Sequence, residues 1–300
     1  MRIVIALGGN ALLRRGERPD ADVQLAHLAA VAPALARIAA DHEVAIVHGN
    51  GPQVGLLALE SVSDTTLSRP YPLSDLVAET QGVIGYWIQQ ALSNAGLGRR
   101  VVTLVTQTVV DAEDPGFQKP SKYVGTGYPE DEARQLADRL DWTVREDVGG
   151  WRRVVPSPLP RRIVELDAAE LLLQNDLTVI LAGGGGVPVT SGPAGLRGVE
   201  AVVDKDFSAA MIATELRADR LMMLTDVPAV YVDYGTPAER PLRHITASDL
   251  ATLTFPAGSM GPKVEAARRF VDTTHARASI GSLDEAPAVL EGSAGTQITA

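Results

Sequence analysis

Ile3-Val-Ile-Ala-Leu7-Gly-Gly-Asn10 is an apolar, β-branched run that stops on a glycine block, and the same pattern returns twice. Val44-Ala-Ile-Val47 runs into His48-Gly-Asn-Gly-Pro52, and Thr178-Val-Ile-Leu-Ala182 runs into Gly183-Gly-Gly-Gly186. Short runs without polar alternation are strands buried on both faces of a parallel sheet. Between them the spacing turns helical. Val23, His27 or Leu28, Val31, Leu35 and Ile38 predict a helix over 21–40, with Pro33 as a candidate kink. A second helix is expected over 74–94, stopped by Gly96. Further strands are expected over 101–106, 220–224 and 278–280, and helices over 167–175, 206–216 and 262–273. This alternation predicts an α/β sandwich with helices on both faces of the sheet. Ligands then sit beyond the carboxyl ends of the strands, where the three glycine blocks gather.

One stretch breaks the rhythm. Residues 111–160 hold prolines, aromatic residues, a polar helix over 130–140 and the apolar pieces 142–144 and 151–155. They read as an inserted, protruding subdomain within a single 1–300 domain. Because the insertion carries Lys119 and Lys122, two readings stand: a lid over the ligand edge, or a surface excursion.

With 300 residues, 45% of them hydrophobic, the chain can bury a large core. It has no cysteine, which excludes disulfides, thiol nucleophiles and thiolate metal sites, and cytoplasm is the expected compartment. The apolar run at the amino terminus is short and meets Gly8, so a buried strand is expected there and not a secretion signal. No uninterrupted apolar stretch approaches the roughly 20 residues that span a bilayer. A net charge of −10 argues against nucleic-acid partners but not against a locally positive pocket for small anions.

Of 27 basic residues only four are lysine: Lys119, Lys122, Lys205 and Lys263. An ammonium is a compact, mobile charge that follows a phosphoryl group without imposing a planar fork. The alternative is codon bias with four leftover surface lysines. Asp204-Lys205-Asp206 sharpens the first reading, since two carboxylates would hold the lysine and Asp206 lies near a helix start.

Glycine blocks after strands let backbone N–H groups approach an anion, and Pro52 suits a first helical position. No G-x-x-x-x-G-K-S/T sequence is present, so this is not a P-loop enzyme. The dinucleotide fingerprint fails as well. His48 can be read as a base or as a structural strand-end residue, and His27, His42, His244 and His275 form no metal-ligand spacing. An ammonium about 4 Å from a phosphate charge is worth on the order of 4 kcal/mol at an effective dielectric near 20. A helix terminus is worth roughly 0.3–1 kcal/mol. Lysines would therefore drive the chemistry, and glycines would position the substrate.

Taken together, Leu7-Gly-Gly-Asn-Ala-Leu12, His48-Gly-Asn-Gly-Pro-Gln-Val-Gly55, Thr80-Gln-Gly-Val-Ile-Gly-Tyr-Trp87, Gly150-Trp-Arg-Arg-Val-Val-Pro-Ser-Pro158, Gly183-Gly-Gly-Gly-Val-Pro188, Val203-Asp-Lys-Asp206 and Gly258-Ser-Met-Gly-Pro-Lys263 closely resemble the carbamate kinases of the amino acid kinase superfamily. The resemblance covers nearly the whole chain in order. It implies a three-layer αβα sandwich with an open, mainly parallel sheet. It also implies reversible phosphoryl transfer between ATP and carbamate with Mg²⁺, a homodimer, and ATP formation in arginine breakdown. By the same resemblance Lys122 reaches the phosphoryl group from the subdomain, Lys205 and Lys263 bridge it and the nucleotide phosphates, and Asp206 orients the lysines. Gly8, Gly9, Asn10, Gly49, Asn50 and Gly51 would cradle the carbamoyl phosphate side, with Gly184 and Gly185 between the two ligands. Asp226, Tyr231, Gly258, Ser259 and Met260 would line the nucleotide site.

The departures are informative. Ala6 stands where many superfamily members carry lysine, as in carbamate kinases, so Lys122 must supply that charge. Tyr123 replaces a usual proline, Pro228 replaces a common acidic residue, and Lys119 matches no family motif. A superfamily kinase with another acceptor and a noncatalytic sensor are the rivals. Ala6 and the Lys122 segment count against the first, and the retained lysines against the second.

Overall fold

The structure, a computed structural model, describes residues 1–9, 12–13, 16–147, 150–255 and 260–300. The chain begins with β1 (Arg2–Leu7), α1 (Ala21–Asp41), β2 (Glu43–His48), α2 (Gly51–Ser63), α3 (Leu73–Asn94) and β3 (Val101–Thr103). Its middle forms β4 (Gln107–Val110), β5 (Lys122–Tyr128), α4 (Glu130–Leu140), β6 (Thr143–Asp147), β7 (Gly150–Val155) and β8 (Pro160–Ile163). Next come α5 (Leu166–Gln174), β9 (Thr178–Ile180), β10 (Val187–Gly192), β11 (Gly195–Gly198), α6 (Lys205–Glu215) and β12 (Arg220–Thr225). The chain closes with β13 (Val230–Val232), β14 (Arg240–Leu242), β15 (His244–Thr246), α7 (Ala247–Leu250), α8 (Met260–Thr274), β16 (Arg277–Ser282), α9 (Ala286–Glu291) and β17 (Thr296–Thr299).

Eight strands form the main sheet in the order β15-β17-β16-β12-β1-β2-β9-β3. Every neighbouring pair is parallel except β16 with β17. Pleating sorts successive side chains onto opposite faces. Ile3, Ile5, Leu7, Val44, Ile46, Met222 and Leu224 share one core with Leu28, Leu35 and Ile38 of α1, Ile84 and Ile88 of α3, and Val289 of α9. Val4, Ala6, Ala45, Val47, Leu221 and Met223 share the other with Leu173 of α5, Ile212 of α6, and Val264 and Phe270 of α8. The result is a three-layer αβα sandwich. Each fully buried Leu or Ile in it contributes about 1.5–3 kcal/mol.

Helix α1 runs unbroken from Ala21 to Asp41 because Pro33 faces solvent, where a missing N–H does least harm. By length and composition this helix could cross a membrane, but its buried stripe of Leu28, Val31, Leu35 and Ile38 packs on the sheet. It is a core helix. Helix α3 ends as its sequence predicts, with Gly96 at φ +82° and the Leu97 N–H bonded to the Leu92 carbonyl.

The expected strand over 101–106 is two strands. β3 stops at Thr103, and β4 belongs to a second sheet of order β11-β10-β4-β8. The break lies at Thr106, whose backbone is claimed by a side chain: its N–H donates to Gln81 Oε1, and its carbonyl accepts from Gln81 Nε2.

Strands β5, β7 and β6 form a separate antiparallel sheet, with Arg134 of α4 lying over the Trp151 ring. Val124 and Val155 of this sheet join Val54 of α2, Leu73 and Val77 of α3, and Val189 of β10 in a third apolar cluster.

Candidate active site

The site grows out of the strand ends. The Gly8 N–H donates to the Leu224 carbonyl and the Gly49 N–H to the Leu7 carbonyl, so the ladder carries both glycine loops one step past β1 and β2. The loops touch each other: a Cβ on Gly49 would lie 3.1 Å from the Gly9 nitrogen and 3.5 Å from Lys205 Cδ. Around Gly9 and Gly51 a Cβ would meet nothing within 4 Å, which leaves open space in front of them. Asn50 precedes α2 but its side chain makes no cap bond there; its Nδ2 donates to Thr80 Oγ1 at 2.9 Å. The first N–H groups of α2 therefore have no acceptor from Asn50, and such groups favour an anion.

The tetraglycine turn is shaped by what crowds it. Gly184, Gly185 and Gly186 have φ of +64°, +91° and +86°. Side chains would be strained there, and a Cβ on Gly184 would overlap the Asn50 amide. The Gly185 carbonyl accepts from Thr108 Oγ1 at 2.7 Å and Ser208 Oγ at 2.8 Å. The Ala182 N–H donates to Thr106 Oγ1, which in turn bonds Gln81 Oε1. Of these buried hydroxyls and amides, only Thr80 and Gln81 lie in a motif of the resemblance, Thr80-Gln-Gly-Val-Ile-Gly-Tyr-Trp87. Their type carries no chemical signal, and only their position makes them supports.

His48 is 1% exposed, and its Nδ1 lies 3.0 Å from the Gly49 carbonyl. Since a carbonyl only accepts, Nδ1 carries the proton. Burial, with a smaller push from Lys205, holds its pKa down to about 4. The ring is neutral and packs on Gly183, where a Cβ would collide with it. Of the two readings of His48, the structural one fits.

Three lysines and two aspartates form a chain of charges. Asp204 caps α6, its Oδ1 accepting the Asp206 N–H at 3.0 Å, while its Oδ2 lies 2.6 Å from Lys122 Nζ. Asp206, 3% exposed, gives Oδ1 to Lys205 Nζ at 2.6 Å and Oδ2 to Lys263 Nζ at 2.9 Å. Desolvation alone would raise the Asp206 pKa, but the two ammoniums hold it well below the usual carboxylate range. Desolvation, reinforced by Lys263, brings Lys205 down to about 8 against the pull of Asp206. Lys263, although burial works against its charge, is raised by Asp206. Two cations on one carboxylate leave net positive charge beside the glycine loops. That arrangement suits a polyanion such as a phosphate chain.

Residues 1–282 match the profile of the amino acid kinase family. The chain belongs to that family. Its carbamate kinase branch supplies the relatives: a carbamate kinase of Rhizobium meliloti is 46% identical, covering 100% of this chain and 93% of that protein. One from Pyrococcus horikoshii is 46% identical over 99% of both. The solved carbamate kinase of Giardia lamblia bound to AMP-PNP has a TM-score of 0.91 at 40% identity, covering 99% of this chain and 98% of that one. Isopentenyl phosphate kinase of T. acidophilum, at 14% identity and TM-score 0.58, shares the amino acid kinase fold alone.

Within that family fold, Gly8, Gly9, Gly49, Asn50, Gly184, Gly185, Lys205, Asp206 and Lys263 are gathered at the carboxyl ends of the central strands. Asp226 follows β12 and accepts from Thr225 Oγ1, and a Cβ on Gly8 would lie 3.4 Å from that same hydroxyl. Tyr231 lies on β13 with its ring edge-on to Tyr234, 6.1 Å between centroids, and Met260 opens α8. Met260 stands one helical turn before Lys263 on that helix. Lys119 is exposed. Asn10, Gly258 and Ser259 lie outside the described residues.

Proposed function

We propose that this chain transfers a phosphoryl group reversibly between ATP and carbamate, giving ADP and carbamoyl phosphate. The observation that carries the proposal is the buried Lys205–Asp206–Lys263 triad beside the glycine loops. The names of the relatives supply the acceptor.

Carbamate is already an oxyanion, so its oxygen attacks the γ-phosphorus without a general base while the bond to the ADP oxygen breaks. That suits a site whose nearby histidine is neutral, buried and engaged with a carbonyl. Lys205 and Lys263 would neutralise the phosphate oxygens, and Asp206 would keep the two ammoniums oriented. Lys122, brought by β5, would face the transferring group from the lid formed by residues 111–160. Gly8, Gly9, Gly49, Asn50 and Gly51 would cradle carbamoyl phosphate, with Gly184 and Gly185 between the ligands and Asp226, Tyr231 and Met260 toward the nucleotide.

Mg²⁺ fits this arrangement as a companion of the nucleotide. Among the described residues no group of three His, Asp or Glu could hold a metal, and both Asp206 oxygens already face lysines. The ion would be held mainly by phosphate oxygens and water, as Mg²⁺ commonly is, and would offset their charge. Exposed Val83 and Tyr86 on α3, with nearby Leu56 on α2, support a homodimer through that face. ATP formation in arginine breakdown is the proposed direction.

The test is ATP formation from ADP and carbamoyl phosphate with Mg²⁺. Turnover there supports the assignment. No turnover, alongside activity on an amino acid or nucleotide acceptor, would sink it.

A further inference from the structure

Asp204 stands where two parts of the molecule meet. It is 9% exposed and uses its two oxygens for different partners. Oδ1 accepts the Asp206 N–H and so fixes the carboxylate to the first turn of α6, the turn that carries Lys205 and Asp206. Oδ2 takes Lys122 Nζ at 2.6 Å, across 82 residues of chain, from the first residue of β5. The Lys122 side chain is 40% exposed, and no other hydrogen bond of its ammonium is present among the described residues. A lysine stem this exposed has many rotamers, and without a fixed partner its charge would be spread through solvent.

We propose that Asp204 is a positioning residue: through the Lys122–Asp204 contact it registers the lysine of the small antiparallel sheet against the Lys205–Asp206–Lys263 triad before the phosphoryl group arrives. The inference rests on the role given to Lys122 above. Three observations carry it. The carboxylate is immobilised by its own cap bond, so it is a fixed reference and not a second flexible arm. It belongs to the same helical turn as Lys205, so the spacing between the two lysines is set by one rigid element. An ammonium also has three donors, so Lys122 can keep Asp204 and still offer N–H groups to a phosphoryl oxygen. The carboxylate therefore aims the lysine without consuming it. Its second contribution is restraint of the small sheet. Arg153 of β7, lying over the Trp142 ring, bonds Glu200, so two ion pairs from the same small sheet reach the segment just before α6.

Serine caps a helix about as well as aspartate but is too short to reach Lys122. Asp204→Ser therefore separates the two jobs. It should keep the melting temperature close to that of the parent while lowering kcat roughly 10-fold to 10²-fold, the scale of a misplaced catalytic group, and leaving the KM for ADP unchanged. Asp204→Glu should do the opposite, recovering part of kcat by reaching the ammonium while losing some thermal stability with the cap. The deciding experiment is the cycle with Lys122→Ala. If Asp204 acts through Lys122, Asp204→Ser costs nothing further in that background. An equal loss in both backgrounds overturns the proposal, as does parental kcat in Asp204→Ser. Amide exchange in β5 gives a second reading without turnover: it should rise in Asp204→Ser and in Lys122→Ala, and no further in the double variant. Additive increases would overturn the proposal too. A near-parental rate for Lys122→Ala alone is a different outcome, since it removes the role of Lys122 and with it the reason for the tether.

Discussion

The Lys205 ammonium and the Asp206 carboxylate meet at 2.6 Å with side chains only 11% and 4% exposed, and the pKa of the lysine still falls to about 8. Burial outweighs the attraction of the aspartate, and Lys263 on the other carboxylate oxygen adds repulsion. The charge of Lys205 is thus poised near working pH. In the free enzyme kcat/KM should fall as pH rises through about 8, because the proton that makes Lys205 a phosphate partner is lost. Bound phosphate favours the ammonium, so the corresponding limb in kcat should lie at higher pH. Lys205→Arg should remove the limb while lowering turnover. A kcat/KM that stays flat to pH 10 would show that Lys205 carries no charge-dependent role. Stability should move the other way: the unfolded lysine binds its proton more tightly, so folding gains as pH rises from about 8 toward the ordinary lysine value.

Removing the Asp206 charge leaves two ammoniums facing each other in a buried site. Asp206→Asn should cost roughly 3–5 kcal/mol of stability, the penalty for breaking a buried ion pair. It should also lower turnover by about 10² or more. Chemical denaturation and the ATP-formation assay check the two effects separately. Stability within about 1 kcal/mol of the parent would mean that the lysines shed their protons or move apart.

His48 gives a prediction with the opposite emphasis. Its pKa is about 4 in the fold against an ordinary 6.5, so the unfolded state binds the proton more strongly between those values. Stability should therefore rise with pH over that window, by on the order of 3 kcal/mol from this group alone. The rate profile should show no ionisation belonging to His48 above pH 5. His48→Asn keeps a donor near the Gly49 carbonyl, and it should flatten the stability curve between pH 4 and 6.5 while preserving the shape of the rate profile. A neutral limb that vanishes in this variant would assign His48 a role in proton transfer.

What the sequence makes legible follows the range of the interactions. The parallel sheet can be read from Ile3 to Leu7, Val44 to Val47 and Thr178 to Ala182, because each run is apolar throughout and leads into a glycine block. Helix stops such as Gly96 are equally local. The break at Thr106 cannot be read, since it depends on the Gln81 side chain, which comes from α3. Hairpins such as β13 with β14 are three residues per strand, too short for a period to register. The arginine bias directs attention to lysine but does not separate Lys119 from Lys122; the motif around Lys122 does, and its partner Asp204 appears only in the fold. Asp204 is visible as part of a charged triplet, yet its two-sided use appears only once β5 folds back on the start of α6.

Gly184 offers the sharpest test of the tetraglycine turn. Its φ of +64° disfavours any side chain, and a Cβ there would overlap the Asn50 amide that bonds Thr80. Gly184→Ala should cost about 1–2 kcal/mol from the left-handed backbone alone. The displaced Asn50 should carry the larger functional effect, raising the KM for carbamoyl phosphate more than that for ADP, because Asn50 belongs to the loop proposed to cradle the smaller ligand. A larger rise in the KM for ADP than for carbamoyl phosphate would move Gly184 to the nucleotide side of the site.

Gly55 of α2 and Gly125 of β5 bring the sandwich and the small antiparallel sheet into close backbone approach: a Cβ on Gly55 would lie 2.5 Å from the Gly125 Cα. Backbone cannot yield as a side-chain tip can, so Gly55→Ala must push β5 away from α2. The strand displaced is the one that begins at Lys122. Turnover should fall by roughly 10-fold or more, on the scale of a misplaced catalytic group. The KM for ADP should change little, since Lys205 and Lys263 stand on α6 and α8, away from the contact. Gly125→Ala meets only distant atoms, about 4.0 Å away, but carries φ +78°, so its loss should appear in stability before activity. Parental kcat in Gly55→Ala, with the substitution verified and the protein folded, would show that the position of β5 does not govern phosphoryl transfer.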